Sequence, residues 1–343
     1  MMAKANLPTL DDVASLSGVS TATVSRCLNN PDKVSAKTRA RILQAIDQIG
    51  YTPNIGGRML ASNRSNMIGV IIPTMENAIF ARGIQALQEE LAKAGFTILV
   101  ASSNYDPEQE FNQLRTLITQ GADAVFLIGI NHTQKTYDFL ESRNIPFVLA
   151  WNYQQDYLYP TVGFDNQAAA AAITHEIITL GHRHLAMISA PTYGNDRALA
   201  RVNGVKTAMQ DKGLDPQDLT LIHTHYALNL GADAFEDIMQ RAPNTTAVIC
   251  GNDVLAVGAI SKAQQMGISI PQHVSITGFD NIDLAAVANP KLTTIHVPHR
   301  RMGQQAAILL LDLLKGQDVQ KNIKIDFDLI KRESLAPPQA KIS

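Results

Sequence analysis

Two hydrophobic rhythms divide this chain. Up to about residue 50, apolar positions recur at helical spacing; from Met67 onward they come as short runs separated by helical stretches. Leu10, Val13, Ala14 and Leu16 follow Thr9, a good N-cap, with Asp11 and Asp12 in the first turn. Gly18 breaks the pattern where a tight turn is needed. A second helix is predicted behind Ser20. Val24 and Leu28 form its i,i+4 apolar pair, and Thr21, Ala22, Thr23, Ser25 and Arg26 lie on its polar side. A third is predicted over 36–49, capped by Ser35, with Ile42, Ile46 and Ile49 as its buried stripe and Gly50 at its end. Two short helices joined by a glycine turn, the second polar outside, make the helix-turn-helix pattern. Small polar residues and an arginine on that second helix can reach base edges in the major groove. A helical hairpin that merely packs into a core would show the same apolar spacing.

Pro53 then stops the chain. The stretch 54–61 carries Gly56 and Gly57, each costing a helix about 1 kcal/mol relative to alanine. So short a helix is unstable alone in water. It is expected to be a linker, within a hinge over 54–66, that becomes helical only with outside help. Strands are predicted over 68–72, 97–101, 124–128, 147–150, 161–164, 185–189, 247–250 and 275–279. Helices are predicted over 78–94, 166–180 and 197–212, each ending at a glycine, and over 300–315. This alternation implies an α/β body of parallel sheets covered by helices on both faces. It is too long for one core, so two doubly wound lobes are expected, meeting near Phe164 and Asp165. Their expected extents are 67–164 with about 296–325, and 165–295 with about 326–335. Residues 1–53 form the head, and the low-complexity stretch 336–343 is expected to be a flexible tail.

Charge sharpens this division. The whole chain carries −2, but residues 1–64 hold eight Lys/Arg against four Asp, which leaves +4 there and −6 on the rest. A basic head on an acidic body suits phosphate contact by the head alone. Cys27 and Cys250 sit in apolar patterns and are expected to be core residues in a reducing compartment. No apolar run reaches spanning length, and MMAKANLPTLDD lacks a signal-peptide core. A cytoplasmic protein with no membrane partner is expected.

Ligands of open parallel sheets sit beyond the carboxyl ends of the strands. The polar residues just past predicted strand ends are Asn77, Asp165, Asn252 and Asp280, and Trp151 follows another. Arg197 and Arg201 share one helix face at i,i+4 spacing. Carboxylates and amides bond vicinal hydroxyls while aromatic faces cover a sugar ring, so this set suits a polyhydroxylated ligand. Two arginines also admit a sugar acid or sugar phosphate, and a purine or nucleoside remains open. Asn252-Asp253 and Asp280-Asn281 equally suit helix caps, and Trp151 suits plain core. The pairs His182/His184 and His223/His225 lack a third metal ligand at ligand spacing and read as surface or cap histidines. No phosphate-binding loop, nucleophile elbow or dinucleotide fingerprint is present. Neither catalysis nor a cofactor is expected.

The joint order of motifs resembles the lac repressor (LacI/GalR) family along nearly the whole chain. They run T-L-D-D-V-A, G-V-S-x-x-T-V-S-R, V-S-A-K-T-R and G-Y-x-P-N, then I-G-V-I-I-P, G-F-D-N, G-H-R-H, C-G-N-D, G-F-D-N again and L-T-T-I-H. The resemblance implies a type I periplasmic-binding-protein-like body and a homodimer on a near-palindromic operator. It points Thr21, Ala22 and Arg26 at base edges and assigns Ser20, Thr23, Asn29 and Tyr51 to phosphates. Leu60 becomes a minor-groove wedge in a hinge with Asn54 and Ala61. In the body it picks Phe80, Asp165, Arg201, Tyr226, Asn252 and Asp280, with Arg197 beside them. Tyr226, like Trp151, also fits a core role. The function implied is an effector-responsive regulator, a repressor of carbohydrate or sugar-acid use.

Overall fold

The computed structural model describes residues 7–52, 64–76 and 78–339, without the side chains of Asn29 and Ala78. The chain divides into two compact units, Met1–Ser65 and Asn66–Ser343. The expected hinge residues Asn54, Leu60 and Ala61, and Asn77 of the body, lie outside the described residues.

The first unit holds α1 (Leu10–Ser17), α2 (Thr21–Asn29) and α3 (Ala36–Ile49). Thr9 and Asp12 close a reciprocal capping box at α1, and Gly18 (φ 64°) makes the turn toward α2. Val13, Ala14, Val24, Cys27, Ile42 and Ala45 form the core. Leu16 departs from the expected apolar stripe: it is exposed, and Ser17 is buried instead. The Ser17 hydroxyl is satisfied there by the Val13 carbonyl at 2.6 Å. Ile46 and Ile49 are only half-buried.

The second unit is built on two six-stranded sheets. The first contains β1 (Met67–Ile72), β2 (Thr97–Ser102), β3 (Ala124–Ile128), β4 (Phe147–Ala150), β5 (Thr161–Gly163) and β11 (Asn322–Lys324), in the order β11-β5-β4-β3-β1-β2. The second contains β6 (Leu185–Ser189), β7 (Thr220–His223), β8 (Ala247–Cys250), β9 (Ser275–Asp280), β10 (Thr293–His296) and β12 (Asp328–Ile330), in the order β12-β10-β9-β8-β6-β7. All pairings are parallel except β10 with β12. The chain crosses between the sheets three times, after β5, after β10 and after β11.

Alternation along each strand sorts side chains onto two helix layers. Ile68, Val70 and Ile72 join the core under α4 (Ala78–Lys93) and α12 (His299–Leu314), while Ile71 faces α5 (Pro107–Thr119) and α6 (Gln134–Ser142). In the second sheet Leu185 and Met187 meet α7 (Asn166–Thr179) and α8 (Asp196–Asp211). Ala186 and Ile188 meet α9 (Leu228–Arg241) and α10 (Asp253–Gln265). A short α11 (Asp283–Val287) follows β9.

Two expectations need correction. The predicted tail is held at least as far as Ala336, whose carbonyl accepts from His182 Nε2 at 2.8 Å and Ser275 Oγ at 3.1 Å; residues 340–343 lie outside the described residues. His182 is accordingly no surface histidine but fully buried, with Nδ1 3.0 Å from Thr246 Oγ1. Burial lowers its pKa, against the Ala336 carbonyl. His184, His223 and His225 are exposed. Cys27 and Cys250 are both buried, as their apolar surroundings predict.

Candidate functional site

On the first unit, α2 presents Ala22 and Arg26 one turn apart on its exposed face, with Thr21 half-buried beside them. The opposite face is anchored by Val24 and Cys27. The Arg26 side chain is exposed and has no hydrogen-bond or ion-pair partner among the described residues. Ser20 is the N-cap of α2: its Oγ accepts from the Thr23 N–H at 3.3 Å and lies 2.9 Å from Thr23 Oγ1. Ser20 and Thr23 therefore have a capping role whatever else they contact. Tyr51 packs half-buried against the head core.

In the second unit, the two lobes meet at a narrow cavity lined by Phe80, Tyr105, Trp151, Asn166, Arg201, Tyr226 and Asp280, with Ile79, Phe164, Asn195 and Arg197. Three of these residues, Tyr105 (φ 60°), Trp151 (φ 65°) and Asp280 (φ 98°), hold left-handed backbone without being glycine. Such conformations cost about 1–3 kcal/mol each and gather at functional sites. The cavity also collects polar atoms that are buried without a partner: Asn166 Oδ1, Arg201 Nε and Asp280 Oδ2. Buried polar groups are nearly always satisfied, and these donors and acceptors are not satisfied by protein groups around the cavity.

The fixed parts show how these atoms are aimed. Arg201 donates from Nη2 to the Tyr226 hydroxyl at 3.1 Å, with its guanidinium 4.7 Å from the Phe279 ring centre. Trp151 stands edge-on to Phe80, ring centres 5.6 Å apart. Its indole N–H donates to His299 Nδ1 at 3.2 Å, which puts the imidazole proton on Nε2. His299 Nε2 has no hydrogen-bond partner and lies 3.7 Å from Asp280 Oδ1. Burial pushes Asp280 up to about 6, with Arg201 pulling against it. Burial pushes His299 down to about 3, helped by the charges of His296, Arg82 and Arg201. At neutral pH the pair is a carboxylate beside a neutral imidazole.

Several expected residues fall elsewhere. Asp165 does not line the enclosed cavity. It caps α7, accepting from the Ala168 N–H at 2.8 Å, and borders an open groove beside the cavity. Asn252 likewise caps α10, and its Nδ2 is buried without a partner. Asp253 is structural, accepting from Ile282 N–H and the Thr294 hydroxyl. Neither Asp280 nor Asn281 caps α11, whose N-cap is Ile282. The residues that sequence reasoning missed are Tyr105, Asn166, Asn195, Asp196 and His299. Asn195 and Asp196 had a signal, since they directly precede Arg197 at a helix start. Among the described residues no side-chain group suits a metal ion, and no helix is long and apolar enough to cross a membrane.

Residues 9–54 match the family of bacterial regulatory proteins of the lacI type. Residues 65–333 match the periplasmic binding proteins and sugar-binding domain of the LacI family. The HTH-type transcriptional repressor CytR of Escherichia coli (strain K12) is 35% identical over 334 residues, spanning 95% of this chain and 96% of that one. The HTH-type transcriptional regulator GntR of the same organism is 33% identical over 327 residues, spanning 95% and 98%. A LacI-family transcriptional regulator from Silicibacter pomeroyi has a similar crystal structure, with a TM-score of 0.88 at 27% identity over 96% of this chain and 99% of that one.

Proposed function

The chain belongs to the LacI family and is a DNA-binding transcriptional regulator, and from that premise we propose that its body senses a neutral, polyhydroxylated small molecule such as a sugar. The observation that carries this reading is the set of unpartnered donors and acceptors around one aromatic-walled cavity. A hydroxyl both donates and accepts, so one sugar satisfies both kinds of atom. Charge balance favours a neutral ligand over a sugar acid. Arg197 is paired with Asp196 at 2.7 Å, and the charge of Arg201 acts on the buried Asp280 carboxyl beside it, so the cleft carries no surplus of positive charge to favour an anion.

On this reading the protein is a cytoplasmic homodimer that represses genes for carbohydrate use. Thr21, Ala22 and Arg26 read bases; Ser20, Thr23, Asn29 and Tyr51 approach phosphates. Phe80, Trp151, Arg201, Tyr226 and Asp280 hold the effector, with Arg197 beside them. Asp165 and Asn252 act through the helices that they cap.

The titration of Asp280 tests the ligand class. As a carboxylate it accepts from a sugar hydroxyl; once protonated it loses that role, and Arg201 loses its counter-charge. Affinity for the neutral sugar selected by a thermal-shift screen should therefore fall as pH drops through about 6. The slope approaches tenfold per pH unit at its steepest. Calorimetric titration from about pH 7.5 to about pH 5 checks this. Asp280→Asn should bind weakly with no such slope, and a flat wild-type profile would count against the assignment.

A further inference from the structure

We propose that Asp196 is the clasp that holds the two lobes of the body closed, acting as a positioning residue for Arg197. This goes beyond the effector reading, because it concerns how the cleft is kept shut whatever fills it. Asp196 is the first residue of α8, on the β6 side of the body. Its Oδ2 accepts from the Ile130 N–H at 2.8 Å and from Asn152 Nδ2 at 2.7 Å. Both donors belong to the β1 side, just past the ends of β3 and β4. Its Oδ1 accepts from Arg197 Nη1 at 2.7 Å, and that same nitrogen donates to the Ile128 carbonyl at 3.2 Å, again across the gap. One carboxylate and its neighbouring guanidinium thus cross between lobes by three hydrogen bonds.

The loop after β3 is shaped to receive them. Gly129 sits at φ 96°, and a Cβ there would lie 2.2 Å from Arg197 Nη1 and 2.6 Å from Asp196 Oδ1. The Asp196 and Arg197 side chains are 13% and 6% exposed, so water and salt scarcely screen the contacts. Burial alone would raise the Asp196 pKa; Arg197 and the hydrogen bonds from Asn152 and Ile130 hold it below the ordinary carboxylate range.

Other polar contacts between the lobes are weaker candidates. Arg82 and Asp283 pair in the open, with side chains 43% and 92% exposed. His299 and Asp280 stand 3.7 Å apart, beyond hydrogen-bond range. Arg197 lines the effector cavity and Asp196 does not. Opening the clasp therefore frees a cleft residue and the lobe contact together.

The test measures lobe separation in the full-length protein without any effector. Nitroxide labels go on Arg115→Cys in α5 and Lys212→Cys beyond α8, both exposed; Cys27 and Cys250 are buried and stay unlabelled. Labelled chains are diluted with unlabelled ones, and pulsed electron spin resonance reads the distance. One narrow distribution is expected with Asp196 intact. Asp196→Ala should broaden it and move it to longer distances. Asn152→Ala, which removes one crossing bond and keeps the carboxylate, should move it the same way by less. That variant carries the test if Asp196→Ala does not fold, as thermal unfolding will show. An unchanged distribution in the folded variants would overturn the proposal.

Discussion

Arg26→Ala should weaken binding to the cognate operator by about 1–3 kcal/mol per half-site, roughly five- to 150-fold, if Arg26 pairs bidentately with a guanine. The reason is local. The Arg26 side chain stands on the exposed face of α2 with no partner among the described residues, while Val24 and Cys27 on the other face carry the packing. Removing its side chain takes away a reader and no part of the core. Thermal stability of the head should hardly move. Affinity for duplexes of unrelated sequence should fall far less, since that term depends on phosphate contacts in bulk. Fluorescence anisotropy with a selected palindrome and a scrambled duplex, at one fixed salt concentration, separates the two effects. Equal loss on both duplexes would make Arg26 a phosphate contact.

Arg201→Ala should abolish the effector response while leaving operator binding without effector intact. Arg201 is buried, 6% exposed, and its charge offsets Asp280. Removing the guanidinium takes away the positive charge that opposes the desolvation of Asp280. Burial then acts on Asp280 unopposed, so its pKa rises further and the carboxyl tends to the neutral form at neutral pH. The Tyr226 hydroxyl loses its donor as well. Arg201→Lys keeps a charge but not the planar fork, so it should recover only part of the affinity. Calorimetry with the same sugar reads both variants; retained affinity in Arg201→Ala would remove this residue from the effector site.

The sequence reveals the architecture better than the site, for a physical reason. Apolar strands such as Ala124–Ile128 and Ala247–Cys250 are buried on both faces and stand out as unbroken runs. Strands β7, β11 and β12 lie at sheet edges, half-exposed and short, and have no such signature. The head was readable to its caps because Thr9, Ser20 and Ser35 each act within three residues. Leu16 misled because helical spacing says which residues align, not which side meets the core.

In the cleft, a carboxylate or amide after a strand suits a helix cap and a ligand contact equally well. Asp280 proved to line the cavity, whereas Asp165 and Asn252 cap helices. Only the fold separates them. Likewise nothing local connects Trp151 with His299, 148 residues away, or Asp196 with Asn152 on the other lobe.

The central claim is that occupancy of the enclosed cleft changes the affinity of the helix-turn-helix head for its operator. The most direct measurement is operator affinity of the full-length protein with and without a saturating cleft sugar, in the wild type and in Arg201→Ala. Coupling of about 1–3 kcal/mol would change wild-type affinity roughly five- to 150-fold, and the variant should show no change. Wild-type operator affinity that stays the same while calorimetry shows the sugar bound would contradict the account.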